Sequence, residues 1–133
     1  MKPGESATET VLVDRERTIG FMGEAGRVYS TPSMVSDVEY ACLRLIQKHL
    51  PEGQSSVGGH VAVDHLAPTP LGARVRISVT VTAVDGRRVT LDARVHDAIE
   101  LVGSGTHVRH VVDIARQIRR IEDKSRRLAE GDV

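Results

Sequence analysis

Apolar residues in the first half of the chain follow two different spacings. A short run of valine and leucine predicts a strand over residues 9–14. Residues 15–27 contain three glycines and predict a loop. Over residues 32–49 the apolar side chains recur every three or four positions, which predicts a long helix. Thr31, which precedes a proline, is typical of a helix start, because its hydroxyl can cap the free amides of the first turn.

The second half of the chain changes to a period of two, the spacing of strands. Four segments are predicted as strands: residues 57–65, 75–83, 89–95 and 100–112. Asp85-Gly86 predicts a hairpin turn between the second and third of them. Residues 113–129 return to helical spacing and predict an amphipathic helix that serves as a cap or a dimer contact. This order predicts an α+β fold with one antiparallel sheet, in a single domain over residues 1–133 with residues 1–8 as a flexible tail.

Two polar residues fall on faces that the apolar pattern assigns to the core. On the predicted helix, Glu39 lies within the apolar arc, whereas Asp37 lies on the face expected to contact water. In the strand over residues 57–65, His65 has the same parity as the valines and Gly59. A carboxylate among apolar side chains costs free energy unless a partner compensates for it. Glu39 and His65 are therefore candidates for acid, base or nucleophilic chemistry.

Composition narrows the classes of partner. The 133 residues carry 18 basic and 18 acidic side chains, so the chain has no global positive field that would attract nucleic acid. Aromatic residues make up only 2% of the chain, which argues against base stacking. No apolar run is long enough to span a bilayer, and the first ten residues lack a secretory segment. We therefore expect a soluble, cytoplasmic protein that binds neither nucleic acid nor membranes.

Cysteine and histidine spacing argues against a metal site. Cys42 is the only cysteine, which excludes an internal disulfide and a cysteine-cluster zinc site. It lies on the apolar arc of the helix, so we expect a small buried hydrophobe rather than a nucleophile. His107 and His110 are three residues apart in a predicted strand, an offset that directs their side chains to opposite faces. We expect no metal ion in this protein.

Five blocks of sequence, in order along the chain, carry a resemblance to a known family. They lie at residues 29–42, 50–58, 65–72, 85–88 and 103–109. The most specific are Tyr-Ser-Thr-Pro leading to Glu-Tyr-Ala-Cys in the first block, His-Leu-Ala-Pro-Thr-Pro-Leu-Gly in the third and Gly-Ser-Gly-Thr-His-Val-Arg in the last. On these blocks the chain resembles the hot-dog-fold thioesterases, and specifically the fluoroacetyl-CoA thioesterase family.

The resemblance implies a fold, a site and an activity. It implies a long helix wrapped by the antiparallel sheet, two subunits that join their sheets as a homodimer, and an active site at the dimer interface, with further pairing into tetramers left open. Thr31, Glu39 and His65 take the positions of the family's catalytic triad. Gly58 matches the glycine beside the thioester, and Arg109 matches the arginine that ends the last block. The implied reaction is hydrolysis of a small or medium acyl-CoA to free acid and CoA, without a metal or other cofactor.

The segment over residues 18–29 departs from the fluoroacetyl-CoA enzyme. It is shorter than that enzyme's phenylalanine-rich lid and contains only Phe21. The resemblance therefore extends to the hydrolytic residues but not to selectivity for a fluorinated acyl group.

The residues leave alternatives open for mechanism and for function. Glu39 would either attack the carbonyl to give a mixed anhydride or deprotonate an attacking water. His65 would polarise the carbonyl or protonate the departing thiolate, and Thr31 would orient one of the other two. A hot-dog hydratase or dehydratase, which adds or removes water without releasing thiol, is one alternative function. A noncatalytic acyl-CoA-binding module is the other.

Overall fold

A five-stranded antiparallel sheet packs against one long helix in the computed structural model, which describes residues 1–131. The elements in chain order are β1 (Ser6–Leu12), β2 (Thr18–Ile19), β3 (Val28–Tyr29), α1 (Thr31–Gln47), β4 (Gln54–His65), β5 (Arg74–Asp85), β6 (Arg88–His96), β7 (Leu101–Asp113) and α2 (Ile114–Glu130). β2 and β3 form a separate small hairpin before α1. The α+β prediction is confirmed.

The sheet has the strand order β1-β5-β6-β7-β4, and every neighbouring pair is antiparallel. The alternation along β5 and β6 turns one set of apolar side chains towards α1, where they are buried. The apolar arc of α1 covers them, with Val38, Cys42 and Ile46 at most 1% exposed. β1 and β4 are the two edges of the sheet, so β4 has a hydrogen-bonded neighbour on one side only.

The N-terminal segment is more ordered than the sequence predicted. β1 begins at Ser6 rather than at residue 9, and it pairs along its length with β5. The amide of Gly4 also donates to the Val81 carbonyl at 2.7 Å. The prediction of a flexible tail over residues 1–8 is therefore wrong for residues 6–8. These residues extend the sheet over the core, and the side chain of Ala7 packs against the core.

A β-bulge at Gly59 reverses the alternation of side chains along β4. Gly58 pairs with Arg109 on β7, Gly59 has no partner on β7, and His60 pairs with Val108. Before the bulge the even-numbered residues face inward, as the buried Ser56 shows, whereas after it the odd-numbered residues do. The prediction that Val57 and Gly59 share a face with His65 is wrong for this reason. Val57 is 37% exposed.

α2 continues directly from β7 and has no buried residue. Its apolar side chains, Ile114, Ile118, Ile121 and Leu128, are all more than one third exposed. The amphipathic helix predicted for residues 113–129 is confirmed to within one residue at each end. No helix within residues 1–131 has both the length and the hydropathy needed to cross a membrane.

Two glycines of β7 allow close packing on the inner face of the sheet. A Cβ on Gly103 would come within 2.5 Å of the Met34 sulfur, which belongs to a flexible side chain. A Cβ on Gly105 would overlap the backbone carbonyl of Ala62 and lie 3.1 Å from the Cα of Val63. Since β4 backbone cannot yield as a side chain can, Gly105 is the position where the β4–β7 pairing requires glycine.

We expect Gly105→Ala to lower the free energy of unfolding by about 1–3 kcal/mol, the usual cost of overpacking. Ser104→Ala, one residue away on the opposite face of β7, is the matched control and is expected to change it by less than about 0.5 kcal/mol. Urea unfolding of both variants measures the difference. Equal stability of the two variants would contradict the close approach described here.

Candidate active site

A cleft of about 530 Å³ lies between α1 and the edge strand β4. Its walls are formed by side chains of α1, by β4 around the bulge and by the end of β7, namely Ser36, Glu39, Tyr40, Leu43, Ser56, Val57, Gly58 and Arg109. Glu39 is half-buried within the apolar arc of α1, as predicted from the sequence. The cleft therefore brings the acid of α1 to the edge of the sheet.

Gly58 lies at the meeting point of three functional groups. A Cβ built on Gly58 would lie 3.6 Å from Oε1 of Glu39, 3.6 Å from Nη1 of Arg109 and 3.3 Å from Cε1 of His107. The missing side chain leaves this space open, so that a substrate atom can approach both the carboxylate and the guanidinium. We call these four residues, Glu39, Gly58, His107 and Arg109, the carboxylate corner.

The Arg109 guanidinium is buried and held by neutral groups. Its side chain is 7% exposed. Nε donates to the Ser56 hydroxyl at 2.8 Å, and Nη2 donates to the Ser56 carbonyl at 2.7 Å. Nη1 lies 3.1 Å from Nε2 of His107. Burial lowers the pKa of Arg109 from its ordinary value, while Cys42 and Glu39 act in the opposite direction.

The fully buried His107 has a defined tautomer. Its Nδ1 lies 2.7 Å from the His60 carbonyl, which can only accept, so Nδ1 carries the hydrogen. Nε2 is then the acceptor for Arg109. Burial lowers the pKa of His107, and the hydrogen bond to His60 opposes this effect only in part. The imidazole is therefore neutral where it contacts the guanidinium.

The contact between His107 and Arg109 was not predicted from the sequence. The signal that would have found it is their offset of two in a strand, which places both side chains on one face. The prediction that His107 and His110 face opposite sides is confirmed, since His107 is buried and His110 is exposed. Among residues 1–131, no three histidine, cysteine, aspartate or glutamate side chains are grouped so as to hold a metal ion.

Thr31 and His65 form a second group. Oγ1 of Thr31 lies 2.8 Å from Nδ1 of His65. The Tyr29 ring packs edge-on against the His65 ring, with 6.3 Å between the ring centroids. Ser30, not Thr31, caps α1 by accepting a hydrogen bond from the Ser33 amide at 3.2 Å. The predicted capping role of Thr31 is therefore wrong by one residue, and its hydroxyl is free to bond to His65.

These two groups lie far apart within one chain. Thr31 and Glu39 are separated by eight residues of α1, which corresponds to about 12 Å along the helix axis. Gly58 and His65 lie towards opposite ends of β4, roughly 20 Å apart along the strand. A single chain therefore brings Thr31 to His65, and Glu39 to Gly58 and Arg109, without joining the two groups.

Asp37 is the polar residue whose environment the sequence did not predict. It was expected in water but is only 9% exposed. Arg17 binds it through Nε at 2.9 Å and Nη2 at 3.1 Å, and the Tyr29 hydroxyl donates to it at 2.6 Å. Burial, together with this hydrogen bond, raises the pKa of Tyr29. The ion pair between Arg17 and Asp37 holds the segment before α1 against the helix and so places Tyr29 beside His65.

Comparisons with known proteins identify the family of the chain. A family model described as fluoroacetyl-CoA-specific thioesterase matches residues 13–115. The fluoroacetyl-CoA thioesterase of Streptantibioticus cattleyicolor is 30% identical over 132 residues, which cover 94% of this chain and 95% of the relative.

Two solved structures are similar over most of their length. A Thermus thermophilus protein of the thioesterase superfamily has a TM-score of 0.90 at 26% identity, with 98% of this chain and 97% of that chain covered. A phenylalanine-to-alanine variant of the fluoroacetyl-CoA-specific thioesterase FlK, in complex with fluoroacetate and CoA, has a TM-score of 0.80 at 32% identity, with 87% of this chain and 98% of that chain covered.

An antiparallel sheet packed on one long helix is the architecture of the hot-dog-fold thioesterases. The class of the protein is thus that of thioester hydrolases acting on acyl-CoA. Within that class, the chain belongs to the fluoroacetyl-CoA-specific thioesterase family.

Cys42 is expected to be inert in the folded protein. Its side chain is fully buried, and burial raises the pKa of its thiol to about 12. Because the thiolate is the reactive form, native protein at pH 8 should react with Ellman's reagent far more slowly than protein unfolded in urea. Absorbance at equal protein concentration measures both rates. Rapid reaction of the native protein would contradict the buried position of Cys42.

Proposed function

We propose that this protein hydrolyses the thioester of a small or medium acyl-CoA to a free acid and CoA, at a site shared by two copies of the chain. The observation that carries the proposal is the carboxylate corner, where Glu39 and Arg109 face the space left open by Gly58. Family membership supplies the substrate class. A solved relative with fluoroacetate and CoA bound supports both products as ligands.

Glu39 carries the bond-forming step in either of two mechanisms. As a nucleophile it attacks the thioester carbonyl, forms a mixed anhydride and expels the CoA thiolate, after which water opens the anhydride. As a general base it removes a proton from a water that attacks the carbonyl directly. In both, negative charge develops on the carbonyl oxygen. The positive charge of Arg109, fixed in direction by Ser56 and His107, stabilises that charge.

His65 completes the reaction at the leaving group. A Thr31 hydroxyl that donates to Nδ1 leaves Nε2 of the imidazole as an N–H donor. In this neutral form the donor polarises the carbonyl, whereas in the imidazolium form Nδ1–H donates to the Thr31 hydroxyl and Nε2–H protonates the departing thiolate to leave neutral imidazole. Thr31 orients the ring in either form, which is the role expected of it from the sequence.

The homodimer brings the two groups together. β4 is a 12-residue edge strand whose outer side has unpaired backbone groups, an arrangement suited to pairing with a second copy. In an antiparallel pair of β4 strands centred on Ala62, inward-facing residues lie opposite inward-facing ones, and the Gly58–Gly59 bulge lies opposite the partner's His65. The carboxylate corner of one copy then faces the partner's Thr31 and His65.

The acyl group and the location of the enzyme are part of the same proposal. Phe21 is the one phenylalanine of the chain, and it is 77% exposed in the segment between β2 and β3. Since that segment lacks a phenylalanine-rich cover, we keep the substrate class to small and medium acyl groups, of which fluoroacetyl is one. Cys42 is a free thiol, which suits the reducing cytoplasm.

Thiol release from a panel of acyl-CoAs tests the proposal. We expect turnover of at least one acetyl, fluoroacetyl, branched, aromatic or medium-chain ester by the wild type, with EDTA present throughout because the reaction needs no metal. Glu39→Gln and His65→Ala should each lower kcat by about 10²–10⁴-fold, the usual contribution of a general acid or base. Gel filtration and circular dichroism check that both variants remain folded dimers.

Other outcomes would select the alternatives. Release of thiol that neither substitution affects would overturn the assigned site. Addition or removal of water without thiol release would indicate a hydratase or dehydratase. Tight binding of acyl-CoA esters that persist unchanged would indicate a binding module.

A further inference from the structure

We propose that His107 is a positioning residue for hydrolysis, and that its unprotonated Nε2 directs the Arg109 guanidinium to the Gly58 corner. This inference rests on the proposed function, because it gives His107 a part in the same reaction. Both ring nitrogens of His107 are used by the His60 carbonyl and Arg109, and only its carbon Cε1 borders the space beside Gly58, so it acts through the arginine.

The hydrogen bonds from Ser56 alone do not fix every nitrogen of the Arg109 guanidinium. Ser56 binds Nε and Nη2, which fixes one edge of the planar guanidinium. Nη1, the nitrogen that lies 3.6 Å from a Cβ on Gly58, is not held by Ser56. Its acceptor is Nε2 of His107 at 3.1 Å. One N–H of Nη1 is used there, and the other remains for a negatively charged oxygen beside Gly58.

The bulge of β4 sets the tautomer that this contact requires. His60 directly follows Gly59, and its carbonyl accepts from Nδ1 of His107 at 2.7 Å. With the hydrogen on Nδ1, Nε2 has a free lone pair for Arg109. The same bulge turns Gly58 towards Glu39. One irregularity of the backbone therefore both places Gly58 in the carboxylate corner and sets the His107 tautomer that orients Arg109.

Protonation of His107 would remove the acceptor and place a second cation beside the guanidinium. The charged or titratable groups that face this pair are Glu39 and Cys42 of α1, His60 of β4 and Arg109 of β7. Burial lowers the pKa of His107, so the neutral form persists at neutral pH and is lost only as the pH falls through this lowered pKa. Activity that depends on His107 should therefore decline on acidification.

Two substitutions separate the hydrogen bonds of His107. In His107→Asn the amide nitrogen replaces Nδ1 and keeps the donor to His60, but the acceptor for Arg109 is lost. In His107→Gln the amide oxygen replaces Nε2 and keeps that acceptor, but the donor to His60 is lost. Each variant loses one of two buried hydrogen bonds, so a merely structural role predicts equal effects.

We expect His107→Asn to lower kcat by about a hundredfold with little change in KM, because a misdirected Arg109 fails in the transition state. The kcat of His107→Gln should stay within about tenfold of the wild-type value. Because glutamine does not titrate, the activity of this variant should decline less on acidification than that of the wild type. Equal kcat values for the two variants, at matched thermal stability, would overturn the positioning role while the wild type remains an active thioesterase.

A second measurement does not depend on activity. In protein labelled with ¹⁵N-histidine, the ring nitrogens of His107 should show the neutral Nδ1–H form throughout the pH range of full activity, with the resonance assigned through the His107→Gln variant. An Nε2–H or doubly protonated ring in that range would overturn the inference. Absence of thiol release by the wild type from every acyl-CoA would instead overturn the proposed function, and the NMR result would still report the tautomer.

Discussion

The β-bulge at Gly59 determines which side chains of β4 face the long helix. Without the extra residue, a strand that buried Ser56 would turn Val61, Val63 and His65 away from α1. With it, Ser56 and Gly58 face inward at one end of the strand and His65 faces inward at the other. Both groups of candidate site residues therefore depend on one backbone irregularity in an edge strand.

Burial of Arg109 is the main electrostatic cost of this arrangement. A guanidinium removed from water loses several kcal/mol of hydration unless hydrogen bonds and nearby charges compensate for it. Here the compensation comes from hydrogen bonds with Ser56 and His107. The negative charge of Glu39 lies across the open corner from the guanidinium rather than in an ion pair with it. In the proposed reaction, this positive charge is available to an oxygen that becomes negative.

Periodicity was enough to predict the order of the helices and the main strands and the position of Glu39 inside the apolar arc. It failed where the physical cause lies outside the local pattern. The adjacent glycines at 58 and 59 carry no hydrophobic signal, so the bulge and the reversed face of Val57 were missed. Asp37 was placed in water because its partner Arg17 comes from a segment 20 residues away. Ser30 and Thr31 are both good caps, and only the backbone shows which one is used.

The central claim is that neither chain holds a complete site, and that two copies complete it across paired β4 strands. Refolding Glu39→Gln and His65→Ala together in equal amounts tests this claim most directly, with native mass spectrometry to count mixed dimers. If the site is shared, a mixed dimer has one intact site, and activity should rise from near zero to about a quarter of the wild-type value. Mixed dimers that form in the expected amount but stay inactive would show that each site lies within one chain, and would contradict this account.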